Sequence, residues 1–405
     1  MSPASHDPEG SGPLTGHRIG HTGFMTDSRN PRVLLCVPGF PASLDDSDKP
    51  FLLDHARALV AAGIDVTVIC PAKPGLHGFR DVEGIEVIRA RYAPRRFETL
   101  AATGSMYREA RGFRMVWVVP MLLSMTLTAL RRARSGVDVI YGHWWIPGGI
   151  VAVVSAKLAR LPSVVHLHGS DAEIARTKFV RMIARWVISK SDRCLAVSKP
   201  LGDWGEKISE RKIDLLPMPI RSREASDPSR SEEMLILGVG RLVYEKGFDV
   251  LVEAVGKLKP EIRPKIVIIG AGPERQLLLD RATAIGVDLY LPGAVSPEKL
   301  VKWFSRSSVV VVPSRREGFG LVAAEAAAMG RVVIGTSVGG VPEVIEDGVN
   351  GLIVEPDNAD ALAKALLEVD PSWGSHGPAR VRHLSAHEHG VFLRQMCEDL
   401  CKRDT

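Results

Sequence analysis

Apolar and polar positions along the chain alternate between two periods: short β-branched runs, and longer stretches with apolar residues three and four apart. RVLLCVPGF (32–40) opens with a strand, and FLLDHARALVAAG (51–63) reads as a helix closed by Gly63. IDVTVICP (64–71), GIEVIRARY (84–92), DVIYGHWW (138–145), PSVVHLHGSD (162–171) and RCLAVSKPL (193–201) read as further strands, with a helix in GGIVAVVSAKLAR (148–160). A polar, charged stretch follows at 221–233 and reads as a linker. The alternation restarts with strands in 234–242, 264–272, 288–295, 309–312 and 331–340 and helices in 248–258, 274–286, 297–307, 321–329 and 358–369. Strand–helix alternation predicts parallel sheets covered by helices on both faces. The pattern therefore predicts an α/β chain of two doubly wound domains, 31–220 and 234–380, with a ligand cleft between them. Residues 1–30 read as a disordered leader, and 381–405 as a final amphipathic helix.

Composition narrows the class. The 405 residues are 45% apolar and 24% charged, as in ordinary globular proteins, and the net charge of +5 is too mild to imply nucleic acid. The five cysteines form no Cys-x-x-Cys pair, which leaves zinc and redox motifs unsupported and predicts a reducing, cytoplasmic setting. The leader has no apolar core of the kind a signal peptide needs. No stretch reads as the ~20 consecutive apolar residues that span a bilayer; the nearest, 115–130, is interrupted by Pro120, Ser124 and two threonines. Ten arginines lie between Arg89 and Arg134 against Glu98 and Glu109 alone. Two readings stand for this region: a core helix with solvated ends, or an interfacial helix on an anionic leaflet. The basic stretch AEIARTKFVRMIARWVISKS carries the same choice.

The segment VVVVPSRREGFGLVAAEAAAMG carries the chemistry. Its strand ends at Pro313 and Ser314, Gly318 and Gly320 permit a tight turn, and the Ala-rich run from Leu321 reads as a helix. Glu317 then lies at a strand's C-terminal mouth beside free helix amides, and Glu325 falls about one turn into the helix. Amides for phosphate and carboxylates for hydroxyls suit a nucleotide-sugar. These residues, with GRLVYEKGFDVLVEA (240–254), resemble the retaining glycosyltransferases of family 4, which have the two-domain, Rossmann-like GT-B architecture. The resemblance covers about residues 31–370. It implies that Arg241 and Lys246 bind the donor diphosphate, with Gly240 and Gly247 permitting close backbone approach. It implies further that Glu317 faces the transferred sugar and Glu325 the ribose, and that Gly318, Phe319, Gly320, Leu321 and Val322 form the donor wall. IIGAGPER (268–275) lacks the third glycine of a dinucleotide fingerprint, which argues against an NAD oxidoreductase.

In the first domain, VVHLHGSD resembles the family's His-Gly-x-Asp segment, which would place His168 and Asp171 at the cleft; His166 reads as packed. YGHWWIPGG is similar to a subgroup's stretch in which His143 and Trp144 would line the acceptor side, while buried core tryptophan is an equal alternative. A His-x-His pair could ligate a metal, but no carboxylate cluster accompanies it, and the resemblance implies transfer without a bound metal or other cofactor. Two stretches depart from the family. The first strand–helix loop has Gly39 in place of a Gly-Gly pair, and LPMPIRSR stands where relatives carry Asn-Gly-Val-Asp. The expectation is a metal-independent hexosyltransferase that takes a UDP-, GDP- or ADP-sugar to the hydroxyl of a saccharide or lipid-linked acceptor, at the inner face of the cytoplasmic membrane. The rivals are a nucleotide-sugar-binding protein without activity and a phosphorylase or epimerase of the same architecture.

Overall fold

Fourteen strands build two sheets among the residues described by the computed structural model, which are 29–43, 46, 49–100, 112–221 and 234–402. The first half contributes β1 (Arg32–Cys36), β2 (Asp65–Pro71), β3 (Gly78–Val82), β4 (Ile85–Ala90), β5 (Val139–His143), β6 (Ser163–Leu167), β7 (Arg193–Ala196) and β8 (Asp214–Leu215). They lie in the order 3-4-2-1-5-6-7-8, and every neighbouring pair is parallel except β3–β4. The second half contributes β9 (Leu235–Val239), β10 (Lys265–Ile269), β11 (Leu289–Gly293), β12 (Val309–Val312), β13 (Val332–Thr336) and β14 (Gly351–Val354), all parallel, in the order 11-10-9-12-13-14.

The continuous apolar runs follow from burial on both faces. Val33 and Leu35 of β1 face one core while Leu34 and Cys36 face another, and β12 divides Val310 and Val312 from Val309 and Val311 in the same way. One apolar cluster contains residues of both sheets and of the C-terminal helix. Strand β3 escapes the sequence pattern because it is an edge strand whose only buried residue is Val82. It is joined to β4 by Glu83 and Gly84, both at positive φ (55° and 79°), the signature of a tight hairpin turn.

In each sheet the order reverses around the first strand. β2 and β5 flank β1, and β10 and β12 flank β9. Open α/β sheets place ligands at such switch points, at the strands' C-terminal ends. The loops after β9 and β12 carry the second half's candidates, whereas His168 and Asp171 follow β6, one strand beyond the β1–β5 junction. The final helix begins at Ala386, five residues later than the sequence pattern implies, because a short helix and a 3-10 turn intervene. This helix packs on the first half, against Pro50–Ala61, where Gly390 lets it approach the Ala58 carbonyl closely.

Two further expectations change. Residues 114–133 form continuous helical structure that is long and apolar enough to cross a membrane by length and composition, although the sequence reading found no such stretch. Pro120 does not break it, since a proline near a helix start loses little. Met121, Met125 and Ala129 are buried on the domain, while Met115, Val116, Val119, Leu123 and Leu127 are exposed. Arg89, counted among the basic surface, is buried instead and donates to the carbonyls of Phe40 and Pro41 at 2.9 and 3.1 Å, tying down the loop after β1.

Candidate active site

The donor-side residues come from the loops that leave β9 and β12, side by side at the switch point. Gly247, at φ 64°, lies so close to Pro313 that a Cβ there would sit 2.0 Å from the Pro313 carbonyl oxygen. The Glu245 carbonyl accepts from the amides of Arg315 and Arg316 at 2.9 and 3.2 Å. Arg315 completes the union, donating to both carboxylate oxygens of Asp249 at 2.8 Å and lying over the Tyr244 ring at 4.0 Å. Sequence reasoning missed Arg315 and Asp249, whose pairing joins segments 66 residues apart and leaves no local signal, and it missed the support that Ser314 gives Glu317 three residues on.

This scaffold brings Lys246 to Glu317, with Nζ 2.6 Å from Oε2. The Ser314 hydroxyl and the Gly318 amide also donate to Glu317, each at 3.2 Å. Burial pushes the Glu317 carboxyl up, but the Lys246 ammonium and these two donors outweigh it and hold the group below the ordinary carboxylate range. Glu317 is thus an oriented carboxylate. Arg241, on the loop after β9, is exposed and pairs with no carboxylate among the described residues. Gly240, at φ 157°, turns the chain out of β9 just before it.

Gly320, at φ 96°, starts the helix Leu321–Ala328, and no side chain caps that helix. The amides of Leu321 and Val322 therefore stand in an uncapped first turn, where anions bind. Glu325 lies half-buried in the next turn. Phe319 departs from the expected donor wall: it is buried, and its ring lies against Gly340. The loop 338–341 supports the turn from beneath, with the Gly340 amide donating to the Gly318 carbonyl at 3.2 Å.

Across the cleft, the turn after β6 touches the turn after β12. A Cβ on Gly169 would fall 2.5 Å from the Gly318 Cα, so this approach needs glycine at 169, and a Cβ on Gly318 would be tight at 3.1 Å from the Gly169 Cα. Arg316 pairs with Glu173, and the Lys199 amide donates to Glu343 at 2.7 Å, which adds two polar links between the halves. His168 precedes Gly169 and is 5% exposed. Asp171 is fully buried beneath the turn and accepts from the His168 amide at 2.8 Å and the Trp145 amide at 3.3 Å. Burial pushes its carboxyl above the usual range against those two donors. Asp171 shapes the turn and does not face the cleft.

His143 sits differently from the expectation, while Trp145 takes the core alternative given for the tryptophans. His143 is fully buried behind His168, its Nδ1 2.9 Å from His168 Nε2, so it lines no open surface. Trp144, at φ 59°, stacks on His168 with centroids 4.1 Å apart and donates to Ser170 at 3.0 Å. Trp145 is core, its ring nitrogen donating to the Asp171 carbonyl at 3.1 Å. Gly39 is buried in the loop after β1. His55 and His389, with no motif to mark them, complete a cluster of buried imidazoles with His143, His166 and His168. The ring nitrogens of His143, His166 and His168 come within 4.8 Å of one another, close enough to hold a metal ion.

Comparison with known proteins agrees with this architecture. Residues 221–370 match the family described as glycosyl transferases group 1, and residues 50–217 match a glycosyl transferase 4-like domain. An uncharacterized glycosyltransferase of Methanocaldococcus jannaschii, MJ1178, is 30% identical over 274 residues, 65% of this chain and 76% of its own. TuaC of Bacillus subtilis, named as a glycosyltransferase of teichuronic acid biosynthesis, is 27% identical over 358 residues, 84% of this chain and 89% of its own. Among solved structures, a sucrose-phosphate synthase of Thermosynechococcus elongatus superposes with a TM-score of 0.73 at 22% identity, over 93% of this chain and all of that one. Anabaena HepE in complex with UDP superposes at 0.71 with 17% identity, over 91% and 100%. With both halves matched in order and each folded as a doubly wound sheet, the chain belongs to the group 1 glycosyltransferases and has the GT-B fold.

Proposed function

We propose that the protein moves a hexose from a nucleoside-diphosphate sugar to a hydroxyl of a saccharide or lipid-linked acceptor, with retention at the anomeric carbon. The observation that carries this reading is the Lys246–Glu317 pair at the second sheet's switch point, between exposed Arg241 and an uncapped helix start. Arg241, Lys246 and the amides of Leu321 and Val322 stabilise the leaving diphosphate without a bound metal, while Glu325 takes the ribose hydroxyls. Glu317 and His168 orient the sugar. The bond from the anomeric carbon to the phosphate oxygen breaks, the acceptor oxygen bonds on the same face, and its proton passes to that phosphate. Contact between the Gly169 and Gly318 turns excludes water from the reacting carbon.

A UDP-sugar is the first donor to try, since the similar fold of HepE holds UDP and glucose. The name of TuaC, with its teichuronic acid biosynthesis, supports a saccharide acceptor of polysaccharide synthesis. The exposed apolar and basic helix faces support an acceptor reached at the inner face of the cytoplasmic membrane. The test is a thermal-shift series with UDP-, GDP- and ADP-sugars followed by product stereochemistry. One class should stabilise the native state by RT ln(1 + [L]/Kd), raising the midpoint with concentration, and give an α-linked product from an α-linked donor. An inverted product, or no shift with any class, refutes the reading.

A further inference from the structure

The buried imidazoles at and behind His168 are held in separate hydrogen-bonded pairs, and the direction of each bond can be assigned. His166 Nε2 lies 2.8 Å from the Leu216 carbonyl oxygen, which can only accept, so that nitrogen carries the proton. Its Nδ1 is then a bare lone pair and accepts from the Tyr141 hydroxyl at 2.9 Å. The direction of the His143–His168 bond follows from what is left over. His143 Nε2 is enclosed and has no partner. If His168 Nε2 donated to His143 Nδ1, the His143 proton would sit on Nε2 as a buried N–H without an acceptor. In the opposite direction only a lone pair is left unused. Orphaned buried N–H groups are the rarer of the two, because a donor has a single direction in which to be satisfied. His143 Nδ1–H therefore donates to His168 Nε2.

The same logic holds one layer deeper. His55 Nδ1 lies 2.8 Å from His389 Nε2 while His55 Nε2 is enclosed and unpartnered, so His55 donates to His389 on the C-terminal helix. His55 also meets the His143 ring edge-on, with centroids 4.6 Å apart at 89°, and fixes its orientation.

We propose that His143 is a positioning residue that locks His168 in the tautomer with its proton on Nδ1, so that His168 acts as a hydrogen-bond donor to a sugar oxygen in the cleft. His168 Nδ1 has no hydrogen bond among the described residues, and the side chain keeps 5% exposure beside the cleft turn, whereas Nε2 is held by His143. Trp144, stacked on the ring, prevents the flip that would exchange the two nitrogens. A ring so held donates to a hydroxyl or ring oxygen of the substrate and does not serve as its base. The catalytic consequence rests on the transferase reading; the tautomer does not.

The experiment has two readouts. Long-range proton–nitrogen spectra of histidine-labelled wild-type protein, assigned with His143→Asn and His168→Asn, report which nitrogen carries the proton. His168 should be protonated on Nδ1 at neutral pH. His143→Leu, which removes the donor, should lower kcat about tenfold with little change in donor KM. His143→Asn places an amide N–H where Nδ1–H stood and should retain most of the activity. A proton on His168 Nε2, equal losses in the Leu and Asn variants, or a stoichiometric transition metal in the purified protein would each overturn the proposal. A wild-type protein that neither binds nor transfers any nucleotide-sugar would instead sink the transferase reading, and the spectrum would still decide the tautomer.

Discussion

At the scale of single residues, the pair that matters most is the one between Lys246 and Glu317. Removing the lysine strips one cation from the leaving phosphate, a loss of the order of 10²–10³ in kcat. Breaking a buried pair is normally costly because a charge is left alone. Here Glu317 keeps the Ser314 hydroxyl and the Gly318 amide, and its side chain is 16% exposed, so water can replace the ammonium. Lys246→Ala should therefore fold and bind the acceptor yet lose transfer, and Glu317→Gln should lose transfer while retaining nucleotide binding. Steady-state kinetics beside a nucleotide titration separate these outcomes; unchanged turnover in Lys246→Ala would remove the central claim. Glu317 and Lys246 were legible in the sequence because each sits inside a local motif. Their supports were not. Asp249 and Arg315 lie 66 residues apart, and the bidentate bond between them exists only once β9 and β12 are neighbours.

Among the elements, the helix Val118–Ala133 carries the exposed apolar face on which the membrane proposal rests. Its inner face is packed, and its outer face carries Val119, Leu123 and Leu127 at four-residue spacing, with Arg131 and Arg134 exposed near its end. The helix Lys178–Lys190 presents Phe179, Met182 and Trp186 beside Lys178 and Arg185, and both helices pack against Ile150–Ala159. Apolar stripes edged by cations suit the interface of an anionic bilayer. The protein should sediment with anionic liposomes at low salt, and Leu123→Glu combined with Trp186→Glu should release at least tenfold more of it into the supernatant, the melting temperature being unchanged because both positions are exposed. Wild-type protein that remains in the supernatant would end the membrane proposal. The sequence showed the cations and the apolar run. It could not show which apolar side chains face outward, nor that Arg89 is buried, since both depend on how the helices pack on the sheet.

For the molecule as a whole, the histidine cluster is a weakness toward acid. Burial, reinforced by neighbouring imidazoles, lowers His55, His143 and His168 well below the ordinary histidine range; His166 falls to about 4 and His389 to about 3. The unfolded chain takes up these protons near pH 6.5 and the native chain does not, so the unfolded state binds more protons in between. Stability is full above about pH 6.5 and is lost as pH falls toward the native values, at about 1.4 kcal/mol per pH unit for each such group. Against a total of about 5–15 kcal/mol, five groups are enough to unfold the protein within a few pH units. The urea midpoint should fall steeply between pH 6.5 and 4.5 and recover in part in His389→Gln; a flat profile would contradict the buried neutral cluster. His55 and His389 lie 334 residues apart in the chain and bring the C-terminal helix onto the first half.

Taken by itself, the sequence determined the two doubly wound halves, because strand and helix periods are local properties of side-chain spacing. It also marked the residues proposed for the donor side, because phosphate and hydroxyl recognition needs glycine turns, cations and carboxylates at short, fixed separations. Tertiary structure alone decided what stands behind His168 and what faces it. The packing of His143 against His55, the His55–His389 bond, the Gly169–Gly318 contact and the burial of Asp171 all join segments brought together by the fold. Those are contacts between distant positions, and their energies depend on distance in space, which spacing along the chain does not encode.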